Sequence, residues 1–276
     1  VKRLLISFNF VQEFKSQLEK EYYYLAKRLH RAPSPGIVTF NGWKLKYINP
    51  DALLVAIQSL ILKRQNDFLY DGDDPVILDC GANIGISILN YKRQFPNARI
   101  IAFEPDPEVC KVLRENLELN SVQDVEVVEA AVWTEESTLE FYQHYTTDGS
   151  RLVLDEDYVP KVSEDKLFVK TVRLVDYLRE LTVDFIKMDI EGAESAVIAD
   201  SVPYLKKVPQ MVIEYHHMMS SAEAFSSILK HLTVAEFDIT VNQYGQRIDL
   251  LHRDRAKNNL SYGYDQLFLV CAWHPS

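Results

Sequence analysis

Val76-Ile77-Leu78-Asp79-Cys80-Gly81-Ala82-Asn83-Ile84-Gly85 is an apolar run that ends in an acid and passes into a loop bounded by two glycines. The β-favouring residues predict a strand over 76–79, and the pattern after the loop predicts a helix over 86–94. Glycine permits a tight strand-to-helix turn and lets backbone approach a ligand closely, at the carboxyl edge of a sheet where such folds bind small molecules. Nineteen residues beyond Gly85, Glu104 closes a second apolar run, Arg99 to Phe103. A carboxylate there can accept both hydroxyls of a ribose, so the loop and the acid together specify a nucleoside ligand.

The same alternation continues outward. A helix is expected over 107–119, a strand over 125–129, a short helix over 175–180, a strand over 184–188, a helix from Ala193, a strand over 211–214 and a helix over 222–232. Two closing strands, 238–241 and 267–272, bring the count to seven: an α/β, doubly wound, mostly parallel sheet with a terminal antiparallel hairpin. Residues 138–172 interrupt the rhythm, with strands at 138–142 and 167–172 around a loop that contains Thr146 to Arg151. Upstream, Phe10, Phe14, Leu18, Tyr22, Leu25 and Leu29 are spaced as a helical stripe that stops at Pro33-Ser34-Pro35-Gly36. Asn41-Gly42 between Ile37–Phe40 and Trp43–Tyr47 predicts a β-hairpin, and Pro50 to Leu62 an amphipathic helix. Two units result: residues 1–70, a helical arm and hairpin serving as lid or oligomerisation module, and residues 71–276, the ligand-binding catalytic domain.

Forty acidic against 30 basic residues give a formal charge of −10, and the Lys and Arg residues are scattered. That balance opposes a nucleic-acid partner and suits a neutral substrate or a cationic ligand. Cys80, Cys110 and Cys271 form no C-x-x-C pair, so neither a zinc site nor a disulfide framework is expected and reduced, cytoplasmic thiols fit. No apolar stretch reaches the ~20 residues that cross a bilayer, and no secretory signal pattern precedes the first unit.

Dinucleotide enzymes share the strand, loop, strand, acid plan, but they use G-x-G-x-x-G so that a helix start can reach a pyrophosphate. Position 83 here is asparagine. S-adenosylmethionine carries no phosphate, and its cationic parts want carboxylate and carbonyl partners, so it fits better than NAD. The runs ILDCGANIGIS, IIAFEPDP, VEAAVW, FIKMDIEGAE and VIEYHH, in that order, resemble the FkbM-type family of class I S-adenosylmethionine-dependent methyltransferases. The resemblance covers about Tyr47 to Tyr215. It implies a Rossmann-like fold and methylation of hydroxyls on sugars and natural products. It also implies that Asp79, Gly81 and Asn83 line the methionine part, Glu104 holds the ribose, and Glu129 with Ala130 flanks the adenine, with Tyr47, Gly85 and Pro105 at the same site.

Methyl transfer from a sulfonium is an in-line displacement, so the protein must align the acceptor oxygen and remove its proton. Two groups at strand ends can do so. Asp189 and Glu191 follow the strand at 184–188 and share a side if that strand persists. Glu214 and His216 follow the strand at 211–214 and share an orientation that His217 does not. His216 and Asp189 are the expected bases. Asp189, Glu191, Glu214 and His216 are also an oxygen-and-nitrogen set suited to Mg²⁺ or another divalent cation, although no tight ligand spacing such as H-E-x-x-H accompanies them. Glu191 or Glu194 can instead serve the following helix N-terminus. Tyr22, Tyr23 and Tyr24 in the arm read as packing against the domain or a second copy of the chain. Tyr142, Tyr145 and Tyr158 offer stacking faces for a pyranose ring or ordinary core.

Overall fold

The computed structural model describes residues 2–144, 151–152, 164–217, 222–243 and 266–274. Seven strands form the central sheet: β3 (Val76–Cys80), β4 (Arg99–Phe103), β5 (Val125–Val128), β10 (Phe185–Met188), β11 (Gln210–His217), β12 (Asp238–Gln243) and β13 (Gln266–Trp273). Their order is β12-β13-β11-β10-β3-β4-β5. β13 alone runs against its neighbours, pairing antiparallel with β11 and β12, while the other pairs are parallel. The chain leaves β3 toward β4 on one side and returns to β10 on the other. The carboxyl end of β3 is therefore the topological switch point, where an open α/β sheet leaves a crevice.

Alternation of side chains divides the strands between two cores. Leu78, Ile101, Ile186 and Ile213 face one side, beneath α5 (Leu174–Glu180), α6 (Glu194–Leu205) and α7 (Ala222–Val234). Ile77, Ile100, Phe185 and Val212 face the other, beneath α3 (Ile86–Gln94) and α4 (Pro107–Leu119). α4 is fixed at its start by Asp106, whose side chain accepts from the amides of Glu108 and Val109, with Pro107 in the first turn.

β6 (Ala131–Trp133), β7 (Thr138–His144), β8 (Arg151–Leu152) and β9 (Glu164–Arg173) form a second, four-stranded sheet of order β6-β9-β7-β8. The sequence marks β7 and β9 as strands but not their separate sheet, which β6 seeds by pairing parallel with β9. Tyr145, Tyr158 and Thr146 to Ser150 lie outside the described residues, as does the side chain of Tyr142.

At the N-terminus, α1 (Lys2–Leu29) leads to β1 (Gly36–Phe40) and β2 (Trp43–Tyr47). Asn41 and Gly42 have φ of 50° and 81°, the pair of positive values that the Asn-Gly turn was read to require. The helix predicted over 50–62 is instead two pieces. α2 (Pro50–Ala56) is capped by the side chain of Asn49, and Ile57–Leu62 then widens into a π-helix. Ile57 and Ile61, four residues apart, both face inward. Leu18, Leu25 and Leu29 of α1 join Phe40, Leu45 and Ile57 in one core with Ile84, Leu89 and Val112 of the sheet domain. The side chains of Phe10 and Phe14 lie outside the described residues.

β2 is also tied to α4 by hydrogen bonds. Asn116 accepts from the Lys46 amide at 2.7 Å and donates to the Lys46 carbonyl at 3.0 Å. One turn on, Asn120 accepts from the Lys44 amide at 2.9 Å and donates to its carbonyl at 2.8 Å. Two side chains at i, i+4 thus meet alternate residues of an edge strand as a neighbouring strand would.

Candidate functional site

The loop after β3 crosses directly over the start of the turn after β10. Gly81 has φ of 81°, and a Cβ there would stand 1.8 Å from the Asp189 carbonyl oxygen, so no side chain fits. Around this crossing a cavity opens, its polar wall formed by Gly81, Asn83, Glu104, Asp189 and Glu191. Its apolar wall comes from Pro105, Val109, Ala130, Ala131, Val132 and Phe141, so the second sheet closes the side opposite the loop.

Glu104 is 7% exposed, and its two oxygens accept from the backbone amides of Asn83 at 2.9 Å and Asp106 at 3.0 Å. Burial raises its pKa from 4.5 to about 7, against the lowering effect of these amides. Each oxygen keeps a lone pair for a ligand hydroxyl.

The backbone N–H groups of the loop are all engaged within the chain. Gly81 and Ala82 donate to the Phe103 carbonyl, Asn83 to Glu104, Ile84 to the Asn83 side chain and Gly85 to the Ala82 carbonyl. No amide in this run is left to cradle a phosphate, and three carboxyl groups stand in the cavity wall. The arrangement suits a ligand with hydroxyls and positive charge and opposes a pyrophosphate.

Strand register collects ionisable groups beneath the loop. Lys187 pairs with Asp79 across β3 and with Val212 across β11, so Asp79, Lys187 and Glu214 lie on one face of the sheet. Lys187 is buried; its ammonium lies 3.4 Å from Asp79 Oδ1 and 3.4 Å from Asp189 Oδ2, and it donates to the Gly81 carbonyl. Asp79 raises the lysine pKa more than any other partner, and the net shift is upward despite burial. Glu214 is pushed up to about 8 by burial and by Asp189, with Lys187 opposing. Lys187 did not enter the sequence reading as a functional residue. Its signal was available: a lysine inside a strand otherwise read as core demands an acid beside it.

Several expectations change. Asp79 is fully buried and does not line the cavity; it accepts from the Ser87 hydroxyl and faces Lys187, supporting the loop from below. Gly85 also stands off the cavity, at the N-terminus of α3 with φ of 87°. β5 ends at Val128, so Glu129 turns to the surface and pairs with Arg114 at 2.9 Å, leaving Ala130 in the wall. Tyr47 is buried in the N-terminal core with its hydroxyl on the Pro33 carbonyl at 3.0 Å, outside the residues that line the cavity.

β10 ends at Met188, and Glu191 takes a left-handed φ of 54°, so the shared side expected of Asp189 and Glu191 does not come from strand alternation. The turn itself brings both to the cavity. Glu194 holds that turn by accepting from the amides of Ile190 and Gly192. β11 runs on to His217 because β13 pairs with it throughout, so His216 lies within the strand, opposite Leu267, and not after it. Its side chain lies outside the described residues. Among the described residues no group of three or more His, Cys, Asp or Glu could hold a metal ion. The cation facing Asp189 is Lys187, and the divalent-cation expectation is not carried further. No helix among the described residues is long and apolar enough to cross a membrane.

Several known proteins are similar to this chain. The 2-O-methyltransferase NoeI of Sinorhizobium fredii is 29% identical over 174 residues, covering 57% of this chain and 70% of that protein. The methyltransferase sdnD of Sordaria araneosa is 34% identical over 165 residues, covering 48% of this chain and 64% of its own length. The solved structure of M. jannaschii TYW2 in complex with AdoMet is 13% identical, covers 89% of each chain and gives a TM-score of 0.49. The family described as the methyltransferase FkbM domain matches residues 79–253, from the buried acid of β3 through the cavity and beyond β11. With the loop, Glu104 and the β10 turn all inside that span, the chain belongs to the FkbM methyltransferase family.

Proposed function

We propose that the protein transfers a methyl group from S-adenosylmethionine to a hydroxyl of a small molecule, with a saccharide hydroxyl as the preferred acceptor. The observation that carries the cofactor reading is the fully engaged loop: five successive amides are spent internally beside a carboxylate-lined cavity. A cationic nucleoside without phosphate fits that surface, and NAD does not. The oxygen acceptor is supported by a relative named as a 2-O-methyltransferase.

S-adenosylmethionine supplies a methyl group already activated by its sulfonium. The chain's own residues then divide the work. Glu104 accepts the ribose hydroxyls with the lone pairs its two amide partners leave unused. Pro105, Val109, Ala130 and Phe141 give an apolar wall for the adenine. Asp189 orients the acceptor hydroxyl and takes its proton: it lines the cavity, in the turn that follows β10. Glu191, in the same turn, holds neighbouring hydroxyls of a sugar. Residues 1–70 pack on α3 and α4 and contribute no residue to the cavity lining.

The test is calorimetric titration with S-adenosylmethionine and with NAD, followed by transfer of a labelled methyl group to a panel of sugars, nucleotide sugars and glycolipids. Binding of the first ligand alone, with label in an acceptor ether, supports the reading. Binding without turnover on any acceptor makes the chain a methyltransferase-fold binding module. Preference for NAD removes the cofactor assignment.

A further inference from the structure

One ammonium touches both sides of the cavity floor. Lys187 donates to the carbonyl of Gly81, in the loop, and faces the carboxylate of Asp189, in the β10 turn, with Asp79 behind it. Gly81 and Asp189 line the cavity, whereas Lys187 and Asp79 do not. Replacing a buried ion pair by residues of similar volume is often neutral or stabilising. Asp189 Oδ1 and Asp79 Oδ1 are buried without a hydrogen-bond partner among the described residues, and Lys187 is the cation that faces both carboxylates, with Ser87 also holding Asp79.

We propose that Lys187 is a positioning residue for methyl transfer: its ammonium pins the Asp189 carboxylate and the Gly81 carbonyl as fixed negative groups facing the sulfonium of the bound donor. This rests on the S-adenosylmethionine reading above. Without Lys187, the loop and the turn lose their common tether, and Asp189 and Asp79 stand near one another with no ammonium between them. Repulsion then displaces Asp189, the member of the group that reaches the cavity.

The effect falls on cationic ligands. S-adenosylmethionine has a sulfonium, while S-adenosylhomocysteine has a neutral thioether on the same adenosine and amino-acid frame. Their ratio of affinities therefore reads the field at the sulfur and is blind to general loosening of the fold.

The experiment compares the intact chain with Lys187→Met/Asp79→Asn, which removes a positive and a negative charge together. It keeps the net charge near the cavity constant and leaves no unpaired aspartate behind the lysine. Titration with both ligands should show S-adenosylmethionine affinity falling relative to S-adenosylhomocysteine by about tenfold, the scale of one charge-assisted contact. A second variant, Lys187→Gln/Asp79→Asn, keeps a donor for Gly81 and Asp189 and should restore part of the ratio; it also serves if the apolar replacement does not fold. An unchanged ratio, or equal losses for both ligands, in a folded variant overturns the inference while leaving the cofactor reading intact. Failure of the unaltered chain to bind either ligand overturns both.

Discussion

Gly81 and Asp189 are so close that a methyl group on the first would overlap the carbonyl oxygen of the second, at 1.8 Å. Gly42, in the hairpin turn, has the same φ of 81° but open space around it. Gly42→Ala should therefore cost only the left-handed backbone, about 1–2 kcal/mol. Gly81→Ala adds a backbone clash and should cost at least ~2 kcal/mol more, with loss of cofactor binding. Equal melting temperatures for the two variants would show that the crossing relaxes freely.

Glu104 ties cofactor affinity to pH. Its pKa of about 7 in the folded chain lies above the ordinary 4.5, so the native state binds more protons than the unfolded state between those values. Folding stability should fall as pH rises through that window. Cofactor affinity should run the other way, strengthening as pH rises through about 7, because the carboxylate accepts two hydroxyls and the neutral acid gives up one acceptor. Glu104→Gln should weaken binding by ~1.5–3 kcal/mol and flatten this dependence. Calorimetry on both proteins across neutral pH decides; the same slope in the variant would move the effect to another group.

Asp189→Asn keeps the shape of the side chain and removes its basicity. Turnover should drop by ~10²–10⁴-fold while affinity for S-adenosylhomocysteine changes little. Near-normal turnover would transfer the role of base to Glu214 or His216, which Gln replacements at those positions would then separate.

Asn116 is fully buried and makes three hydrogen bonds to backbone, two to Lys46 and one to the Ile84 carbonyl at 2.8 Å. Asn116→Ala should cost about 2–4 kcal/mol, since each buried backbone group left unpaired carries its own desolvation penalty. Chemical denaturation measures it. A cost under about 1 kcal/mol would mean that water replaces the side chain.

The sheet was legible because each parallel strand is an apolar run bounded by turn residues, and the switch point followed from strand order. Glu104 could be placed in the cavity wall because it directly follows a strand, whereas Ala130 came from the resemblance. What failed depended on where strands stop. β11 continues past Glu214 because β13, more than fifty residues later, supplies a partner. β10 stops at Met188, and Glu194, six residues on at the start of α6, captures two amides of the turn. Tyr47 looked like a site residue through resemblance alone, and packing gave it to the core. Lys187 was overlooked because periodicity treats a strand position as core or surface and has no category for a charge kept in the core by its neighbours.

The asparagines of α4 have a mechanical consequence. One end of that helix presents Val109 to the cavity, and its other end grips the hairpin through Asn116 and Asn120. Were the helix to move as one body, lifting the hairpin would also tilt the cavity wall. Cofactor occupancy and hairpin docking should then be thermodynamically linked, each raising the apparent strength of the other by the same free energy. The N-terminal module is on this view a lever coupled to the donor pocket, and grafting it onto another chain without α4 would leave it with an open strand edge and nothing to move.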